Sequence, residues 1–168
     1  MSGRRRRAPI AADGLVPTGR EAVFAFLAEL SNHWLVADRW IDLVCLDDGG
    51  EGGRVRIRGP LGLRRTARTQ VLASEPPARL EGRASLGATV ARVRWELEPR
   101  CAATLVRLEA DVERAGPLDR LLLAAGGRLW LRRRFRATIA GLAGRCAGAS
   151  RPGEPRPPAP REAWTARA

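Results

Sequence analysis

Along residues 18–145 the apolar positions change period twice, and each change marks a new element. Val23, Phe26, Leu27 and Leu30 recur at helical spacing with Phe24 close by, which predicts a helix. Thr18 and Glu21, three apart at its start, read as a capping box, with the threonine oxygen accepting from the backbone and the glutamate reaching back. Ser31-Asn32 predicts the helix end, followed by a short turn through His33 and Trp34. From Arg39 onward the period becomes two. Trp40 to Leu46 reads as a strand, Asp47 to Gly53 as its turn, and Arg54-Val55-Arg56-Ile57-Arg58 alternates strictly. Further strands are predicted at about 63–73 and about 79–85. Two longer ones follow, one with Thr89, Ala91, Val93, Trp95 and Leu97 on a single face, the next with Thr104, Val106, Leu108, Ala110 and Val112. Ile10 to Val16 predicts a first strand, made irregular by Asp13-Gly14.

The period returns to helical after Gly116-Pro117, with proline in the first turn of a helix over about 117–145, interrupted only by Gly126-Gly127. Projected at about 100° per residue, Leu118, Leu121, Leu122, Ala125, Leu129, Phe135 and Ile139 fall on one broad face. Arg128, Arg132 and Arg136 project to the same side, while Leu123 and Trp130 project away. A buried arginine needs a carboxylate, a cavity mouth or solvent within reach. The pattern predicts an α+β fold, an antiparallel sheet curled around one terminal helix, and the gap in such an arrangement is often a ligand chamber.

Charge changes this picture little. The 168 residues carry a net charge of +12, but all 30 basic residues are arginine, alongside abundant alanine, glycine and proline, as GC-rich coding also produces. The sheet's other face carries Arg54, Arg56, Arg58, Arg79, Arg83, Arg92, Arg94 and Arg107 among Glu81, Glu96, Glu109 and Asp111. That pattern fits a solvated side with cross-strand pairs, and nucleic-acid binding of low specificity at most. Residues 1–9 read as a disordered basic leader, 10–146 as the domain, and 147–168 as a Pro/Arg/Ala-rich disordered tail with an isolated Trp164. No run of about 18 apolar residues and no signal-peptide core is present, which predicts a soluble, cytoplasmic protein. Cys45, Cys101 and Cys146 are odd in number and far apart, so they read as reduced structural thiols.

The order of a helix carrying Glu21-Ala22-Val23-Phe24-Ala25-Phe26-Leu27, then Asn32-His33-Trp34, consecutive strands with Trp95-Glu96-Leu97, and Gly116-Pro117-Leu118 opening a long helix resembles the START-like helix-grip (SRPBCC) superfamily. Within it, the chain is most similar to the polyketide cyclase/dehydrase and lipid-transport branch, over about residues 8–145. The resemblance implies a helix-grip (Bet v 1-like) fold, with about seven antiparallel strands wrapped around the last helix, two short helices after strand 1 and an apolar cavity between sheet and helix. The absence of tyrosine departs from cavities that steer polyketides with hydroxyls, and no catalytic role carries over residue by residue.

The candidate chemistry is sparse. His33 is the only imidazole and Asp42 alternates with apolar neighbours, facing inward or outward according to register; these two are the candidate acid–base residues. Asp47, Asp48 and Glu51 depart from calcium-loop spacing, and no phosphate loop, nucleophile elbow or zinc motif occurs, so neither a metal nor a cofactor is expected. The leading expectation is a carrier of a small hydrophobic or amphipathic molecule, held by Phe26, His33, Trp34, Val93, Trp95 and Leu129, its acidic head met by Arg132 or Arg136. The alternatives are a polyketide cyclase/dehydrase-type enzyme, or a basic module for RNA, a ribosome or an anionic membrane.

Overall fold

The computed structural model describes residues 8–37 and 40–149; the Arg4–Arg7 run, Arg39, the chain beyond 149 and its Trp164 lie outside the described residues. Strands β1 (Ile10–Val16), β2 (Ile41–Leu46), β3 (Gly52–Arg58), β4 (Arg64–Glu75), β5 (Arg79–Leu86), β6 (Thr89–Arg100) and β7 (Ala103–Arg114) form one antiparallel sheet, ordered β1-β7-β6-β5-β4-β3-β2. Helices α1 (Arg20–Ala28) and α2 (Leu30–Val36) connect β1 to β2, and α3 (Pro117–Leu122) and α4 (Arg128–Ala149) follow β7. This is the expected helix-grip fold, with a long C-terminal helix against a curved sheet.

Strand β1 is regular despite Asp13-Gly14, its register running unbroken from Ile10 opposite Ala110 to Val16 opposite Thr104. Asp13 turns outward to Arg107 at 3.3 Å. Gly14 faces the helix, where an added Cβ would stand 2.7 Å from Ile139 Cγ2, so the missing side chain lets α4 lie directly on β1.

Alternation sorts the sheet into a wet and a dry face. On the wet face Glu81 is only 5% exposed, covered by arginine stems. It accepts from Arg79 at 2.8 Å, Arg92 at 3.1 Å and Arg94 at 3.2 Å. Burial alone pushes its carboxyl up, but the hydrogen bonds and charges of these arginines outweigh that and hold it below the usual carboxylate range. Arg83 and Arg92 also reach Glu113, so much of the sheet's positive charge is locally neutralised.

Two helical expectations are corrected. Gly19, not Thr18, caps α1, no side chain makes the cap hydrogen bond, and the Thr18 hydroxyl has no partner. The helix also breaks earlier than Ser31-Asn32: Glu29 is extended, and His33 and Trp34 sit within α2 instead of a turn. Asn32 and His33 reach back to the terminal carbonyls of α1, Phe26 O at 2.9 Å and Leu27 O at 2.5 Å, meeting acceptors that a helix end leaves unpaired.

The C-terminal helix is not one rod. Residues Leu123–Gly127 form a wide π-type turn, with Ala125 outside helical dihedrals and Gly126 at φ 101°. That turn breaks the phase on which a continuous projection depends. Leu123 and Trp130 turn inward onto the core, whereas Leu118 and Leu121 are exposed. Beyond the turn α4 continues to Ala149, and Phe135, Ile139, Leu142 and Cys146 form its buried stripe. Val16, Val23, Leu27, Val36 and Val106 join them in a tight core under α1, α2 and β1. The rest of the sheet's dry face remains uncovered by this core.

Candidate functional site

A cavity of about 310 Å³ lies between that dry face, α2 and the kinked start of the C-terminal helices. Its origin is in the sequence alternation. Ala67, Gly82, Ala84, Ala91 and Ala110 occupy inward positions on β4 to β7, where a packed core would carry leucine or isoleucine. Ala84 and Ala91 are register partners, and Gly82 stands opposite Val93, so the side-chain volume missing from the sheet centre is contiguous. Larger residues rim this hollow. Trp34, Trp40, Trp95 and Trp130 line it, and Trp40 meets Trp130 edge to face with ring centroids 5.7 Å apart.

The polar groups at the lining are mostly engaged with one another. Asp119 on α3 pairs with Arg65 on β4 and accepts from the Thr89 hydroxyl, and that oxygen in turn accepts from the Gly116 amide at 2.9 Å. Thr138 accepts from Trp40 Nε1 at 3.4 Å and donates to Arg134 O at 3.0 Å. Trp34 Nε1 is the exception, buried with no hydrogen-bond partner.

His33 also lines the cavity, its ring edge-on to Trp95 at 5.9 Å. Because Leu27 O can only accept, Nε2 carries the ring proton and Nδ1 holds the lone pair. Desolvation lowers the imidazole pKa and exceeds the opposing effect of the Leu27 hydrogen bond, so the ring is neutral at pH 7. Among the described residues no carboxylate is hydrogen-bonded to it.

Of the residues expected to form the site, the structure brings His33, Trp34, Val93 and Trp95 to the cavity wall. Phe26 packs against the core without lining the cavity. Leu129 is 53% exposed and outside it. Arg132 donates to Ala11 O on β1 at 3.3 Å, Arg128 donates to the Ala8 and Pro9 carbonyls, and Arg136 is exposed. Arg128 and Arg132 flank the buried stripe and reach over the edge strand instead of entering the interior, as long stems permit. Asp42 points to the wet face and pairs with Arg58 at 2.9 Å, while Trp40 precedes β2 and is buried. The residues missed were the small ones. Alanine and glycine at successive inward positions were the available signal, since alternation alone does not distinguish a filled face from a hollow one.

The chain belongs to the polyketide cyclase / dehydrase and lipid transport family, whose model matches residues 15–147. Comparison with curated proteins finds no significant match. Among solved structures, TTHA0849 from Thermus thermophilus is similar at 18% identity and TM-score 0.64, covering 86% of this chain and 100% of that one. A START superfamily protein from Mycobacterium smegmatis is similar at 12% identity and TM-score 0.61, covering 84% of this chain and 99% of its own. At such identities these likenesses show the fold alone. No helix among the described residues is long and apolar enough to cross a membrane.

Proposed function

We propose that the protein binds and carries one small, neutral, largely apolar molecule in the cavity between sheet and C-terminal helices. The observation that carries this reading is the lining: an apolar hollow in which Asp119 and Arg65 neutralise each other, and His33 is held neutral. Among the described residues that line it, Arg65 and Arg83 are already paired, with Asp119 and Glu113, so an anionic head group would meet no unpaired cation there, and burying it unpaired is costly. Its volume lies at the small end of ligand pockets, about 300–1,000 Å³, which favours a compact or single-chain molecule over a two-chain lipid. The unpartnered Trp34 Nε1 offers one donor, suited to a carbonyl or hydroxyl oxygen.

Displacement of bound N-phenylnaphthylamine tests this reading. Medium-chain alcohols and ketones should displace the probe better than the carboxylic acids of equal length, and Arg132→Leu should leave both series unchanged. Preference for the acids, lost in Arg132→Leu, would restore the arginine clamp and refute the neutral-ligand reading.

His33 favours a second reading, proton transfer of the polyketide cyclase/dehydrase type, because it combines a neutral ring with an Nδ1 lone pair at the cavity wall. With no orienting carboxylate among the described residues it stands below the carrier reading. Turnover of a cavity-bound polyketide that His33→Gln abolishes, with binding retained, would reverse that order.

A further inference from the structure

The two faces of the molecule handle their arginines differently. On the sheet, arginines of β5, β6 and β7 meet carboxylates, as in Arg92 with Glu81 and Glu113. From Pro117 to Ala149 the chain carries seven arginines and a single carboxylate, Asp119, which is already paired with Arg65. On α4, Arg132, Arg133 and Arg136 lie three, four and seven residues after Leu129, so the four share one helix face, and all four are exposed. Just before the kink, Leu118 and Leu121 share a face of α3, 47% and 66% exposed. The segment thus presents leucines to solvent within an excess of positive charge.

We propose that the exposed leucines of this segment, Leu118 and Leu121 on α3 and Leu129 on α4, together with its exposed arginines Arg120, Arg133 and Arg136, dock it on anionic lipid bilayers. Leucine side chains enter the headgroup boundary while the arginines meet lipid phosphates, the division of labour of an interfacial amphipathic segment. A second copy of the chain fits this surface poorly, since a two-fold contact would set its arginines against themselves. Nucleic acid would leave the leucines unused, and no aromatic ring is available there for base stacking: Trp130 and Phe135 turn inward. Leu122 and Leu123, on the same segment, line the cavity, so docking would set one cavity wall against the bilayer. The docking surface stands on its own charges and leucines and does not depend on what the cavity holds.

Vesicle co-sedimentation with the full chain tests the proposal. The wild type should bind vesicles containing about 30% phosphatidylglycerol and leave pure phosphatidylcholine largely unbound. Leu118→Gln/Leu121→Gln, which keeps every arginine, should weaken that binding by about tenfold or more. Arg56→Ala, on the sheet's wet face, should leave it unchanged. The single variant Leu121→Gln, with an unaltered circular dichroism spectrum, guards against misfolding of the double variant and should show a smaller loss of the same sign. Absence of wild-type binding, equal binding by the leucine variants, or a leucine-dependent dimer without lipid would each overturn the proposal. So would tighter, leucine-independent binding to RNA, which would identify a phosphate surface of another kind.

Discussion

His33 does two things at once: it closes the end of α1 through Leu27 O and forms part of the cavity wall. Its burial gives it a measurable signature. With the folded pKa lowered, the unfolded chain takes up the proton more readily, so stability falls as pH drops below about 6.5, and the slope ends once pH passes the folded value. Chemical denaturation between pH 7.5 and about 5 should show this loss in the wild type and a flatter profile in His33→Gln. Parallel profiles would mean that the ring is solvated in the folded state. The histidine itself stands out in the sequence because it is the only one, but its helical setting does not. That setting depends on a break at Glu29, placed where the paired side chains of Asn32 and His33 can satisfy the carbonyls left open.

At the scale of elements, strands were readable because a half-buried sheet imposes a period of two that no other structure shares. The irregularity expected at Asp13-Gly14 was wrong for an instructive reason: that glycine serves the helix crossing above it, a contact made by a residue far along the chain, Ile139. Gly14→Ala should destabilise the fold by about 1–3 kcal/mol, because its Cβ would press on the buried Ile139, and urea denaturation measures this directly. Unchanged stability would mean that α4 does not lie on β1. The C-terminal helix was readable in extent but not in phase. Gly126-Gly127 marked the interruption, yet only the backbone at Gly126 shows how far the second half is turned, and every arginine assigned to the interior rested on that phase.

At the scale of the whole molecule, a curved sheet and a kinked helix meet tightly at one end and stand apart at the other. What separates them is the run of alanine and glycine at the sheet's centre. Arginine, the most abundant charged residue, works outside: it covers Glu81 on the sheet, reaches over β1 from α4, and charges the surface around the kink. The interior is left mainly to apolar groups and tryptophan, with His33 and the paired Arg65 and Asp119 at the cavity wall.

The central claim is that this hollow is a binding site, and filling it is the most direct test. Ala91 lines the cavity opposite Ala84, so Ala91→Phe places a ring in the empty volume. Titration with N-phenylnaphthylamine should give saturable one-to-one binding in the wild type, and at least about a tenfold loss in Ala91→Phe, with a melting temperature that is kept or raised. Equal binding in the two proteins, or no binding in the wild type after any co-purified ligand has been removed, would contradict the account.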